Sequence, residues 1–164
     1  MPPSILVGTV NRTVLVRVEG KGSFLNSSPL KEFAKEMVNR GYREFVIDLK
    51  CCSVMDSTFM GTMAGIALRL REIGQGQLRV VQLNERNRDL LANLGLDQLF
   101  TIDDRANGVG TSAVQQLASG AVDKETQAKD MLEAHENVVE ANPDNAAKFK
   151  DVIEYLKHDL HSPN

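Results

Sequence analysis

Three neighbouring polar residues, Asp56, Ser57 and Thr58, are the strongest candidates for chemistry in this sequence. They stand between a short apolar run and a stretch with helical periodicity, so we predict that they lie at a helix start. There the free backbone N–H groups and the positive end of the helix dipole favour an anion. A phosphoryl group on Ser57, carrying about two negative charges, would be tolerated. Plain N-capping of the helix explains the same pattern.

Other catalytic arrangements are missing from most of the chain. The three histidines, His135, His158 and His161, all fall in the last thirty residues. The first 134 residues therefore hold no Ser-His-Asp or Cys-His set and no histidine zinc site. No paired carboxylates and no glycine-rich phosphate loop converge on the three polar residues. We predict no catalytic residue, no metal and no cofactor.

Composition limits the class of protein further. The chain has 164 residues, of which 42% are hydrophobic and 25% charged, which is typical of one globular domain with a small addition. Aromatic residues make up only 5%, and the net charge is −3. A nucleic-acid surface would need more of both stacking rings and positive charge, so we expect no nucleic-acid partner.

The cellular location is predicted from what the sequence lacks. No apolar stretch approaches the length of about 20 residues that a membrane span needs. The first residues have no basic lead and no cleavage pattern of a signal peptide. Cys51 and Cys52 are adjacent, so an ordinary disulfide between them is implausible, and we interpret them as reduced thiols. These features favour a cytoplasmic protein without a membrane span.

The polar residues are positioned by alternating strands and helices in the predicted order β-β-α-β-α-β-α-β. The predicted strands cover 5–10, 13–18, 45–49, 77–83 and 99–102. The predicted helices begin at 26–29, 59 and 84, and end at Gly41, Gly74 and Gly95. Such alternation is typical of an α/β domain with a layered sheet. We expect Gly61 and Gly65, within the second helix, to allow close packing of that helix on the sheet.

The C-terminal part differs in charge and periodicity. Residues 1–110 hold 14 basic and 12 acidic side chains, whereas residues 111–164 hold 5 and 10. We predict a domain over 1–120, closed by a fourth helix at Ser112–Ala118, and a helical hairpin over 121–164. The first helix of the hairpin carries His135 on its apolar face. Two short helices need another surface to bury their apolar faces, so we predict that the hairpin is an added interaction element or that it forms a homodimer.

The central part of the chain contains MDSTFMG at Met55–Gly61 and LANLGLDQLF at Leu91–Phe100, and through them it resembles the STAS domain of bacterial anti-sigma factor antagonists. The family's Met-Asp-Ser-(Ser/Thr)-x-x-Gly segment is matched by Met55–Gly61, which reads MDSTFMG. Its Leu-x-x-x-Gly-Leu-x-x-Leu-Phe segment is matched by Leu91–Phe100, which reads LANLGLDQLF. The resemblance covers about residues 5–103 and implies a STAS-like mixed sheet packed by helices.

The resemblance also implies a function. In the family, the serine after the motif aspartate is phosphorylated by a partner anti-sigma factor that is itself a serine/threonine kinase. That serine is Ser57 here, with Thr58 as a secondary candidate and Asp56 as its polar neighbour. The unphosphorylated form binds the anti-sigma factor, phosphorylation blocks this binding, and a phosphatase reverses it. The protein would then be a binding protein and not an enzyme.

Two departures from the family pattern concern the partner surface. Phe59 stands where the family often has Gly, and it is either a core residue or an exposed partner contact together with Met60 and Lys21. The family's Gly-Glu-Leu-Asp segment is replaced by Gly20–Ser23, which reads GKGS. Both acidic positions are lost, and Ser23 is left to supply a hydrogen bond in their place.

Two other functions remain open. STAS domains also serve as scaffold subunits of signalling or transport complexes without a phosphorylation switch. A protein of another class, a small-ligand-binding protein or an enzyme, would use the Asp56–Thr58 segment and Ser23. A bound ligand in a deep pocket near Ser57 would favour that alternative.

Overall fold

The computed structural model describes residues 3–109, 115–117 and 122–161. Within these ranges the strands are β1 Ser4–Val10, β2 Thr13–Gly22, β3 Glu44–Asp48, β4 Cys52–Met55, β5 Gln77–Val81, β6 Thr101–Asp103 and β7 Gln115–Gln116. The helices are α1 Phe24–Asn39, α2 Ser57–Ile73, α3 Glu85–Asn93, α4 Lys124–Ala141 and α5 Ala146–His161. Short 3-10 turns precede β6 and α5, at Leu96–Gln98 and Pro143–Asn145.

The strands form one mixed sheet in the order β6-β5-β3-β2-β1-β7, with β4 paired to the end of β2. Neighbours from β2 to β6 run parallel, and β1 runs antiparallel to both β2 and β7. Asn11 and Arg12 form the two-residue turn between β1 and β2 with positive φ angles of 49° and 69°. Two positive φ angles are typical of the type I′ hairpin turn. The predicted α/β class, mixed sheet and helical C-terminal stretch are confirmed.

The core lies between the sheet and the helices α1 and α2. Phe45, Ile47 and Leu78, from the central strands, meet Met63 and Leu70 from α2, and all five are nearly inaccessible to solvent. Burying side chains of this size is the main source of stability, at roughly 1.5–3 kcal/mol for each one. The sheet and α2 therefore form a rigid base for the segment that joins them.

Helix α1 begins earlier than predicted. Ser23 is its N-cap: its hydroxyl accepts a hydrogen bond from the Leu25 N–H at 3.2 Å. The Asn26 side chain accepts from the Ser23 N–H at 2.9 Å, which completes a reciprocal capping box. Pro29, which predicted the first turn, instead lies inside the helix. The cap at Ser23 prevails because it satisfies backbone donors that the later start would leave free.

The structure contains two strands, β4 and β7, that were not predicted. β4 lies in a segment that was expected to be a loop. It pairs with β2 at Gly20 and Gly22, and the pairing register shifts between these two residues. Of the helix predicted at Ser112–Ala118, residues 115–117 are described, and Gln115 and Gln116 pair with β1 as a strand. That helix is therefore wrong at these residues, and the remainder lies outside the described part. Both strands depend on partners distant in sequence, which local periodicity does not reveal.

The C-terminal hairpin finds its packing surface within the same chain. Helix α4 lies across α2 and also touches α1, and α5 packs on α4. Ala134, His135 and Val138 are buried on α4, and Leu156 is buried on α5. The apolar faces that predicted a homodimer are thus largely covered by α2 and by each other. A homodimer stays a prediction, but the apolar faces that suggested it are largely covered within the same chain.

Both cysteine thiols are free in the structure, with Cys51 exposed and Cys52 buried. Burial raises the pKa of the Cys52 thiol, which keeps it protonated and unreactive at neutral pH. Across the described ranges, none of the helices combines the length and apolar character that crossing a membrane requires.

Asn145, in the turn between α4 and α5, fixes the hairpin to the domain and yields a test of that placement. Its buried amide donates to the carbonyl oxygens of Leu94 at 2.8 Å and Val138 at 3.1 Å. Asn145→Ala removes both bonds and leaves the Leu94 carbonyl without this donor, while the Val138 carbonyl keeps the Asn142 N–H, so we expect urea denaturation to show a loss of about 1–3 kcal/mol. Asn39→Ala, at an exposed position in α1, is the control. Equal losses in the two variants would contradict the anchoring role.

Candidate functional site

Asp56 joins the N-termini of two helices. It is the N-cap of α2, where one carboxylate oxygen accepts from the Phe59 N–H at 2.8 Å. The other carboxylate oxygen accepts from the Phe24 N–H, at the start of α1, at 2.9 Å. Its own N–H donates to the Gly22 carbonyl at 2.8 Å. The capping function predicted as an alternative is therefore real, and it holds the following residue, Ser57, in a fixed position.

Ser57 is the first residue of α2 and is partly exposed. Its hydroxyl lies 2.9 Å from Nε2 of His135, which is contributed by α4. Nδ1 of His135 lies 2.6 Å from the Met131 carbonyl oxygen. A carbonyl only accepts, so Nδ1 carries a hydrogen, and in the neutral imidazole Nε2 then accepts from the Ser57 hydroxyl. The imidazole is 3% exposed and also packs on the Phe149 ring.

The contact between Ser57 and His135 was not anticipated from the sequence. The first 134 residues contain no histidine, so both members of a serine–histidine pair cannot come from them. The C-terminal hairpin, however, places the imidazole of His135 beside Ser57. The available signal was the place of His135 on an apolar helix face. A polar ring on such a face must find a hydrogen-bond partner once it is buried. Periodicity alone does not identify that partner.

Two of the other predicted site residues, Thr58 and Ser23, are buried, whereas Lys21 is exposed. Thr58 is 3% exposed, so its hydroxyl is out of reach of a kinase in this conformation. Ser23 is 4% exposed and uses its hydroxyl to cap α1. It is therefore not free to replace the family's acidic residues. Lys21 is exposed, and its contact with a partner stays a prediction.

Phe59 and Met60 belong to the core. Phe59 is 0% exposed and Met60 4% exposed, so the structure supports core packing and not partner contact. A Cβ atom on Gly22 would lie 2.8 Å from the Phe59 ring, so the end of β2 rests directly on that ring. The large side chain at this position thus fills space beneath the Ser57 segment.

Helix α4 crosses α2 at very short range. A Cβ atom built on Gly61 would lie 2.1 Å from the Ala134 carbonyl oxygen. A Cβ atom on Gly65 would lie 2.4 Å from the Asn137 side-chain nitrogen. That nitrogen donates to the Gly61 carbonyl oxygen at 3.3 Å. The two glycines therefore serve contact with α4, and the expectation that they pack on the sheet is wrong.

Ion pairs hold the first half of α4 against α1. Nζ of Lys31 lies 2.8 Å from Asp130 and 2.6 Å from Glu133, and the Ser28 hydroxyl donates to Asp130 at 2.5 Å. Burial on its own lowers the pKa of Lys31, but the hydrogen bonds to Asp130 and Glu133 outweigh it and raise that pKa. A lysine whose pKa is higher in the folded state stabilises the fold fully at any pH below its unfolded-state pKa, about 10.4. This stabilisation is lost only as the pH rises through the folded-state pKa. The pairing therefore persists across neutral pH, and salt is what weakens it.

The groove that the structure shows between the helices does not include Ser57. A groove of about 800 Å³ lies between α1, α2 and α4, lined by Lys31, Arg69, Glu72 and Glu140 among others, and Ser57 is not part of its lining. Among the described residues, no group of three or more His, Cys, Asp or Glu side chains could hold a metal ion. The serine–histidine pair therefore lies in a contact between helices, outside this groove.

These features define a mixed α/β domain with a serine at the N-terminus of the helix that follows β4. The family model of the STAS domain matches residues 4–119, and the chain belongs to that family. The helices α4 and α5 lie beyond the matched residues. No curated protein sequence matches the chain significantly.

Solved structures show the same fold at low sequence identity. Thermotoga maritima protein TM1081 is 22% identical with a TM-score of 0.57, covering 61% of this chain and 86% of its own. An anti-sigma factor antagonist from Mycobacterium paratuberculosis is 23% identical with a TM-score of 0.54, covering 62% and 87%. The anti-sigma factor antagonist SpoIIAA, in its unphosphorylated form, is 18% identical with a TM-score of 0.52, covering 62% and 89%. The phosphorylated form of the Bacillus cell fate determinant SpoIIAA, also 18% identical, has a TM-score of 0.51 and covers 62% and 92%.

The double hydrogen bonding of Asp56 leads to a stability prediction. Asp56→Ala removes the acceptor of both the Phe24 and the Phe59 N–H, and we expect a loss of about 1–3 kcal/mol in the free energy of unfolding. Urea denaturation measures it. Asp123→Ala is the matched control, because Asp123 caps α4 by accepting from the Thr126 N–H. A loss at Asp56 no larger than that at Asp123 would contradict its role in joining α1 and α2.

Proposed function

We propose that this protein is a phosphorylation-switched anti-sigma factor antagonist of the bacterial cytoplasm. In its unphosphorylated form it would bind and sequester an anti-sigma factor that is also a serine kinase. Residues 1–120 would form the signalling domain, and residues 121–164 an extension that acts on it. A phosphatase would return the phosphorylated protein to its binding form. The protein itself would be a binding protein and not an enzyme.

The observation that carries the proposal is the position of Ser57. The residue follows the Asp56 cap, begins α2 and keeps part of its surface exposed, in a chain of the STAS family. Thr58, by contrast, is buried. SpoIIAA, a structural neighbour, is described in both an unphosphorylated and a phosphorylated form. A switch at the matching serine is therefore a consistent function for this chain.

The chemistry would be divided between the two proteins. The Ser57 oxygen forms a bond to the γ-phosphorus of ATP, the bond from that phosphorus to the bridging oxygen breaks, and ADP leaves with the electron pair. A base of the kinase takes the hydroxyl proton, and the kinase also supplies the metal ion. This chain supplies a positioned hydroxyl at a helix N-terminus, which stabilises an added negative charge by about 0.3–1 kcal/mol. The domain would thus survive a modification that opposes docking of the partner.

Phosphate mapping tests the function. The full chain is incubated with ATP and each candidate anti-sigma kinase, and the modified residue is identified by mass spectrometry. We expect one phosphate on Ser57, none on Ser57→Ala, and unchanged modification of Thr58→Ala. The kinase should bind the unphosphorylated protein at least about tenfold more tightly than the phosphorylated one, a difference of about 1.4 kcal/mol. Absence of phosphate and of binding across all candidate kinases would defeat the proposal.

A further inference from the structure

Helix α4 packs against the hydroxyl of Ser57, the group that phosphorylation would modify. The hydroxyl oxygen and Nε2 of His135 are already at hydrogen-bond distance, 2.9 Å. Phosphorylation removes the hydrogen that joins them and adds a phosphorus with three oxygens. The imidazole is 3% exposed and its Nδ1 is tied to the Met131 carbonyl, so the ring cannot turn aside without losing that bond. Ser57 is partly exposed, so the phosphoryl group either turns toward solvent or pushes α4 outward, and in both cases the contact with His135 is lost.

Helix α4 cannot move closer to α2 to make room for the added group. Gly61 and Ala134, which precedes His135, are in direct backbone contact, so α4 already lies as close to α2 as the two backbones permit. Any displacement must be away from α2. Moving away separates Asn137 from the Gly61 carbonyl and Asp130 from Ser28 and Lys31. The contacts around Ser57 are therefore lost together.

Electrostatic repulsion would also favour the separation of α4 from a phosphorylated Ser57. Apart from His135, α4 holds two basic and five acidic side chains. A phosphoserine would bring about two more negative charges against this acidic helix. The added bulk at the Ser57 oxygen acts against the contact with His135 in addition to this charge.

We propose that the docked helix α4 and a phosphorylated Ser57 exclude each other, so that the C-terminal hairpin is a cis cover of the Ser57 face which phosphorylation releases. The surface that it covers is the face of α1 and α2 that contains Ser28, Lys31, Ser57 and Gly61. A partner that reaches Ser57 must displace α4 from this face. The proposal rests on the proposed function only in taking Ser57 as the residue that is modified.

The test is hydrogen exchange of the full chain with phosphoserine encoded at position 57 during translation. Amides of α4 should exchange at least about tenfold faster than in the unmodified protein, while amides of β3 keep their rates and report an intact core. Unchanged protection of α4 in the phosphorylated protein would overturn the proposal. Because this route needs no kinase, a failed kinase assay affects the proposed function alone, and unchanged exchange affects the cover alone.

A matched pair of glycine substitutions tests the cover without phosphate. In Gly61→Ala the new Cβ meets the Ala134 backbone, whereas in Gly65→Ala it meets the movable end of the Asn137 side chain. Alanine also favours the helical state of α2 in both variants. We expect Gly61→Ala to speed α4 exchange at least about tenfold at constant β3 exchange, with a smaller change in Gly65→Ala. Protection of α4 retained in Gly61→Ala would contradict the close crossing on which the cover depends.

Discussion

The contact between the Gly61 backbone and the Ala134 carbonyl sets the position of everything around Ser57. With no side chain between them, the two helices meet at a separation that only glycine permits on the α2 side. Because His135 directly follows Ala134, this crossing brings the imidazole to the N-terminus of α2, where Asp56 holds Ser57. One short approach between helices thus determines the environment of the candidate phosphoacceptor.

The cover and the domain below it are stabilised by different interactions. The sheet and α2 share an apolar core of large side chains that solvent does not reach. The interface of α4 with α1 and α2 adds only Val138 to that core and otherwise combines small residues, ion pairs and hydrogen bonds to single side chains. Partly exposed ion pairs contribute about 0–1 kcal/mol each, and a hydrogen bond about 0.5–1.5 kcal/mol net. Opening of α4 therefore costs far less than unfolding of the domain, as expected of a regulatory element.

Local signals in the sequence predict much of the fold. At the site they predict the Asp56–Ser57 helix start but not its contact with His135. The start of α2 at Asp56 and Ser57 was predictable because a cap and helical periodicity occur within a few residues. The start of α1 was misplaced because Pro29 and the cap at Ser23 are competing local signals. The hydrogen bond from Ser57 to His135 joins residues 78 positions apart, and no local rule relates them. The spacing of Gly61 and Gly65 did indicate close packing, but the sequence offered both a sheet and a helix as partner.

A cis cover is useful only if its docking free energy lies within limits. A docked state favoured by about 1.4 kcal/mol weakens partner binding about tenfold, and one favoured by about 4 kcal/mol weakens it about a thousandfold. The α4 contacts combine weak polar interactions, a small-residue crossing and the burial of Val138, and the cover acts as a switch only if their sum stays within that range. A phosphoryl group that removes the Ser57 hydrogen bond and forces the helices apart acts on all these terms at once. The same small free energy that lets a partner displace α4 therefore lets a single modification release it.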